Sequence, residues 1–143
     1  MDTGFVALDE TGKVLLAREF NLEKRSKSTT EEILSYARDL VDMIPYESKV
    51  AIEHFAYSAR GDQVSFQYAV GYAIRFAMID ANIKYVEASP TMIKKFVCGV
   101  GKGNAKKENV IKDVYKRWGY EHKSNNVVDA YAIARYLEAE NAK

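Results

Sequence analysis

Two carboxylates stand where their neighbours give little reason for a charge. Glu53 ends "KVAIE", a short apolar run that reads as a buried strand. A carboxylate there is costly unless it is paired, hydrogen-bonded or bound to a cation. The plainer alternative is an exposed strand end. Asp129 lies near the start of "VVDAYAIARYL", a helical pattern of apolar residues around one acid. Its plainer alternative is a residue that serves the helix dipole, with "SNN" just before it available as a cap. Together, the two acids are the kind of donor set that a hard divalent cation uses. Mg²⁺ takes one or two carboxylates and keeps water and substrate phosphate in its other positions. Two such ions, about 4 Å apart, stabilise both the attacking and the leaving oxygen in phosphodiester hydrolysis. A full site of that kind wants at least one more acid.

A basic segment accompanies the acids. Lys84 to Lys123 holds ten Lys and Arg against four Asp and Glu, a balance of +6, while the first 83 residues hold nine against thirteen, a balance of −4. The loop "GVGKGNAKKENV" is rich in glycine and carries Lys102, Lys106 and Lys107. Its backbone amides and lysines suit an anion such as a phosphate backbone. A lysine-rich solvated face is the plain alternative. The loop lacks the G-x-x-x-x-G-K-[ST] pattern of a nucleotide-binding P-loop. Phe55, Tyr57, Phe66 and Tyr68 follow close on Glu53. Aromatics beside such a site can stack on unpaired bases, but they are more often core, and Phe66 in particular fits the apolar face of a helix.

The elements that must hold these residues follow from periodicity. "TGFVALDETGKVLLAREF" reads as a hairpin turning at "DETGK", where Gly12 can take a positive φ. "STTEEILSYARDLVDMI" is a helix, with Ser28 and Glu31 forming a capping box and Pro45 ending it. "KVAIEHF" is a strand, "GDQVSFQYAVGYAIRFAMIDA" a helix, "IKYVEA" a strand, and "SPTMIKKFV" a short helix with proline in its first turn. Two more helices close the chain, "KENVIKDVYKRW" and "NVVDAYAIARYLEAE". This order predicts an α/β protein in which a mixed sheet is flanked by helices.

The 143 residues make a single domain, with 48% hydrophobic and 29% charged residues. No run is long and apolar enough for a membrane span. One cysteine, Cys98, excludes an internal disulfide and fits a reducing, cytoplasmic setting. With two histidines and that one cysteine, a zinc site is not expected.

"AIEHFAY", "VEASPTMIKKFVCGVGKGNAKKENV" and "NNVVDAYAIARYL" stand in the order and spacing of RuvC-type Holliday junction resolvases, of the RNase H-like superfamily. The chain resembles that family from about Thr3 to Ala139, most closely in "GVGKGNAKK" and "VDAYAIA", and its length and style resemble a phage-like member. The resemblance implies a homodimer that binds four-way or branched DNA and nicks it with Mg²⁺ or Mn²⁺. Glu53 matches the family's second acid and Asp129 its last. Lys94 and Lys107 match basic residues that bind the junction, with Lys102 and Lys106 beside them. Phe55 or Tyr57 stands near the aromatic that probes the junction centre.

Two departures from the family matter. Three residues before the last acid, the family has an acid or a histidine, and here stands Asn126. An amide can ligate through its oxygen, but it brings no charge and cannot act as a base; Asn125 or His122 could compensate. The family's first strand ends in its first acid, and a T-G leads into the second strand. "TGFVALD" matches that second strand, so Asp2 stands one element too late and the first central strand is missing from the chain as it stands. Two readings are open. Either the strand lies upstream of Met1, which is the expectation, or "MDTG" is a shortened first motif with Asp2 as its acid. Two rival functions follow: a relative that binds branched DNA without cutting it, and an actin-like nucleotide phosphotransferase suggested by "DTG".

Overall fold

The computed structural model describes residues 2–55 and 62–143. Tyr57 lies outside the described residues. The chain begins with a hairpin. Strands β1 (Asp2–Leu8) and β2 (Val14–Asn21) pair antiparallel, from Asp2 opposite Asn21 to Leu8 opposite Val14. The turn closes as its composition predicts. Asp9 Oδ1 accepts from the amides of Thr11 and Lys13 at 2.8 and 2.9 Å, and Gly12 adopts φ +88°. That angle suits glycine because it has no Cβ to clash there.

Helix α1 (Thr30–Asp42) starts one residue later than the predicted capping box. Thr29, not Ser28, is the cap: its hydroxyl accepts from the Glu32 amide at 3.1 Å, and the Glu32 carboxylate accepts from the Thr29 amide at 3.0 Å. Ser28 is occupied elsewhere, donating to the Arg25 carbonyl at 2.6 Å and closing the 3-10 turn Arg25–Lys27. The face of α1 carrying Tyr36, Ala37, Leu40 and Val41 is buried.

Strand β3 (Val50–Glu53), helix α2 (Asp62–Asp80) and strand β4 (Tyr85–Ala88) form a parallel β-α-β unit, with Glu53 opposite Ala88 in the last rung of the ladder. Helices α3 (Pro90–Cys98), α4 (Lys107–Trp118) and α5 (Asn125–Asn141) complete the order read from the sequence.

Helices flank the strands on both sides. Phe5, Val50 and Ile52 pack into a core with Tyr36, Leu40, Phe66, Val70 and Met78 from α1 and α2. Val6, Leu8 and Val14 pack into a second core with Val97, Val114, Val128 and Tyr131 from α3, α4 and α5. Phe5 and Val6 thus face opposite layers, as the two-residue period of a strand requires.

One expectation changes in form. The strands do not make a single hydrogen-bonded mixed sheet. They make two pairs, β1 with β2 and β3 with β4, and α5 lies across both. Among the described residues no strand is paired between β1 and β3, so each keeps one free edge. A second difference is burial: β3 is only half-buried, and Glu53 is exposed at its end.

Candidate functional site

The site gathers at the end of β3, where α5 begins. Glu53 is the last residue of the strand, and the chain leaves the ladder just beyond it. Asp129 is the fifth residue of α5, past the first turn, whose cap is Ser124, accepting from the Val127 amide at 3.3 Å. The cap is thus the serine of "SNN", and Asp129 does not cap its helix. Its helix is brought close by Gly4 in β1. A Cβ on Gly4 would lie 1.9 Å from the Asn126 carbonyl oxygen, so only a glycine lets the strand and the helix start approach this closely.

The two acids share one electrostatic environment. Both carboxyl groups are pushed above the ordinary carboxylate range, and in both the first cause is desolvation by surrounding protein. By surface area Glu53 is exposed and the Asp129 side chain is one-third exposed, at 33%. Each is open to solvent on one side and crowded by protein on the others, and crowding alone raises a carboxyl pKa. The negative charge of Asp129 raises Glu53 further, while Lys107 and Lys94 oppose the rise in both. Lys107 Nζ stands 3.6 Å from Asp129 Oδ2. Four residues singled out in the sequence, from four separate elements, thus act on one another's charge.

The donors suit a single hard cation. Among the described residues no group of three or more His, Cys, Asp and Glu comes together as a metal site. Two crowded carboxylates, each better off with a positive charge beside it, match the way Mg²⁺ is held through one or two acids plus substrate phosphate. Asn126 begins the same helix and adds an amide.

The remaining candidates fall into place around this pair or away from it. Lys94 is half-buried on α3, and Lys102, Lys106 and Lys107 are exposed on the loop and at the start of α4. Phe55 packs on Tyr68 and Tyr72, with ring centroids 4.5 and 5.2 Å away. Asp2 sits among different partners: its carboxylate lies 3.6 Å from Arg25, and its charge acts on Tyr36. It heads a strand, not a phosphate-binding turn between strands, which removes the support for the actin-like reading. His122 turns Nδ1 to the Ser124 amide, at 3.0 Å.

No protein-family model matches this chain, and no curated protein matches it. Solved structures do. Thermus thermophilus RuvC aligns over 99% of this chain and 97% of its own, with a TM-score of 0.65 and 19% sequence identity. The fold is that of RuvC. A structure of T. thermophilus RuvC in complex with a Holliday junction substrate aligns over 99% and 96% of the two chains, with a TM-score of 0.65 and 15% identity. The RuvC fold therefore accounts for nearly the whole chain, including both two-stranded sheets.

Sequence reasoning missed one part of this RuvC-fold site. Arg75 is the buried charged residue of the described core, at 4% exposure. Its guanidinium donates from Nε to Glu87 Oε1 at 2.7 Å, from Nη1 to the Gly71 carbonyl at 2.9 Å, and from Nη2 to the Glu53 carbonyl at 3.2 Å. The signal was present in "YAIRFAMI", where one arginine interrupts an apolar helix. An arginine that cannot lose its charge must find acceptors when buried.

Proposed function

We propose that the chain is a metal-dependent, structure-specific DNA endonuclease that resolves Holliday junctions and other branched DNA, acting as a homodimer in the cytoplasm. The observation that carries this reading is the meeting of Glu53 and Asp129, with Lys94 and Lys107 beside them, in a fold shared with RuvC. Mg²⁺ or Mn²⁺, when bound, supplies a Lewis acid for the scissile phosphate. Glu53 and Asp129 hold it through carboxylate oxygens, and their raised affinity for positive charge favours its capture. Asn126 adds an uncharged oxygen. Lys107 rests loosely on Asp129 at 3.6 Å, so it is free to turn to a DNA phosphate once Asp129 has a stronger partner. Lys94 steadies the same phosphate region.

The direct test offers the protein a four-way junction and a linear duplex of the same sequence, with and without Mg²⁺ or Mn²⁺. Paired nicks in the junction, dependent on the metal, are expected. Absence of nicking with either ion, together with tight junction binding, would establish the second reading instead, a branched-DNA binder that does not cut. Asn126 and the lack of a third acid among the described residues favour that alternative.

Lys102 and Lys106 supply a separate prediction. Each phosphate neutralised releases counterions, so affinity falls with salt by roughly 0.9 logarithmic units per contact per tenfold of salt. Changing both lysines to alanine is expected to lower that slope by about 2. Binding isotherms at several salt concentrations measure it, and an unchanged slope removes both from the DNA interface.

A further inference from the structure

Arg75 joins three elements at the acid. Its own helix, α2, receives one bond at Gly71, β4 receives another at Glu87, and β3 receives the third at the Glu53 carbonyl. The fork is itself braced. Nη2 also lies 2.7 Å from Glu87 Oε1, and the other Glu87 oxygen lies 3.2 Å from His54 Nδ1. The guanidinium covers the Phe55 ring at 4.2 Å from its centroid. Gly71 leaves the space for this, since a Cβ there would stand 2.4 Å from the same ring. The Glu53 carbonyl is thus held by Arg75, and the imidazole of the next residue, His54, lies against the Glu87 that braces the arginine.

A strand end is where such a brace matters. Glu53 is the last rung of the β3–β4 ladder, and the His54 amide makes one more bond, to the Ala88 carbonyl at 2.9 Å, before the chain departs. That bond holds the N–H side of the Glu53–His54 peptide, and Arg75 holds its carbonyl side. The guanidinium is planar, permanently charged and rigid, so bonds to Glu87 and Gly71 set where its third donor meets the Glu53 carbonyl, as a flexible lysine could not. The bond to the Glu53 carbonyl ties this arginine to the acid.

We propose that Arg75 is a positioning residue for the cation site: with Glu87 as its brace, it fixes the Glu53 peptide and so aims the Glu53 carboxylate at the metal. The inference rests on the reading of Glu53 and Asp129 as metal ligands. Partners that orient a metal ligand commonly govern affinity by about 10- to 100-fold.

The test measures Mn²⁺ binding directly, from the loss of the free-ion electron paramagnetic resonance signal, on wild type, Arg75→Lys, Glu87→Gln and Glu53→Gln. Junction binding without metal is measured in parallel. Arg75→Lys is expected to weaken Mn²⁺ binding about tenfold, with junction affinity in metal-free buffer within about twofold of wild type. Glu87→Gln keeps an acceptor but loses the charge, and is expected to weaken Mn²⁺ binding by a smaller factor in the same direction. It stands in for Arg75→Lys should that variant fail to fold. Wild-type Mn²⁺ affinity in a folded Arg75→Lys, or in Glu87→Gln where Arg75→Lys does not fold, overturns the proposal. If Glu53→Gln loses Mn²⁺ while the Arg75 and Glu87 variants keep it, only the positioning role falls. If wild type binds no Mn²⁺, the reading of the acids as ligands falls first and takes the positioning role with it.

Discussion

Cleavage of a four-way junction by Glu53→Gln or Asp129→Asn protein is expected to fall at least about a hundredfold, with junction binding retained. The magnitude follows from comparison: loss of a group that merely orients a metal ligand costs up to about a hundredfold, so loss of the ligand itself should cost no less. Binding survives because each substitution removes a negative charge from a surface that meets phosphate. The same variants should be more stable than wild type in metal-free buffer. Desolvation raises both carboxyl groups, so the folded state holds these protons more tightly than the unfolded state does. The stability tied to them is full below the unfolded carboxylate range and is lost as pH rises through the raised folded values. At neutral pH both acids therefore work against folding, and an amide relieves the strain. Thermal melts should show wild type gaining stability from Mn²⁺ and Glu53→Gln gaining little, while its metal-free melting temperature is the higher. A Glu53→Gln protein that cuts at wild-type rate removes Glu53 from the site.

Gly4→Ala should be the most damaging single methyl in the described chain. The added carbon would stand 1.9 Å from the Asn126 carbonyl oxygen, 2.3 Å from its carbon and 2.8 Å from the Val127 nitrogen. All three are backbone atoms, so no side chain can swing away. Overpacking of this kind costs about 1–3 kcal/mol, and more where backbone must move; about 3 kcal/mol or above is expected here. Relief requires the start of α5 to lift from β1, carrying Asn126 and Asp129 with it. Loss of cleavage should therefore exceed what the unfolded fraction explains. Gly119→Ala is the comparison. That residue has φ +66° and nothing within 4 Å of its Cβ position, so only the left-handed backbone resists, at about 1–2 kcal/mol. Urea midpoints for the two variants measure the difference, and equal costs would mean that β1 and α5 do not press together as described.

The order of elements was legible because it is written locally. The helical spacing of Ala37, Leu40 and Val41, the turn at Asp9–Lys13 and the proline at the start of α3 each act within a few residues. Glu53 and Asp129 were legible because each breaks an apolar pattern. What depends on distant partners was not. The division into two strand pairs is decided by which edges find each other, and a strand's composition does not name its neighbour. Ser28 looked as good a cap as Thr29, and only the 3-10 turn before it decides between them. Arg75 was hidden for the opposite reason: the arginine was visible in its helix, but its acceptors at Glu53 and Glu87 lie on two strands.

The free edges of β1 and β3 also bear on how the molecule behaves among its own copies. An unpaired strand edge is a row of amides and carbonyls that will accept an extended segment of almost any sequence. Natural sheets guard such edges with lysine, proline or a bulge. Here β1 and β3 carry no lysine and no proline, and their charges, Asp2 and Glu53, stand only at a strand end. The Ala7/Leu8 irregularity disturbs β1 only at its far end. Crowding in a concentrated sample should therefore drive edge-to-edge association and, in time, precipitation. Such material would show a concentration-dependent rise in sheet signal, unrelated to any dimer used in binding DNA. Refolding should accordingly succeed at high dilution and fail progressively as the protein concentration rises.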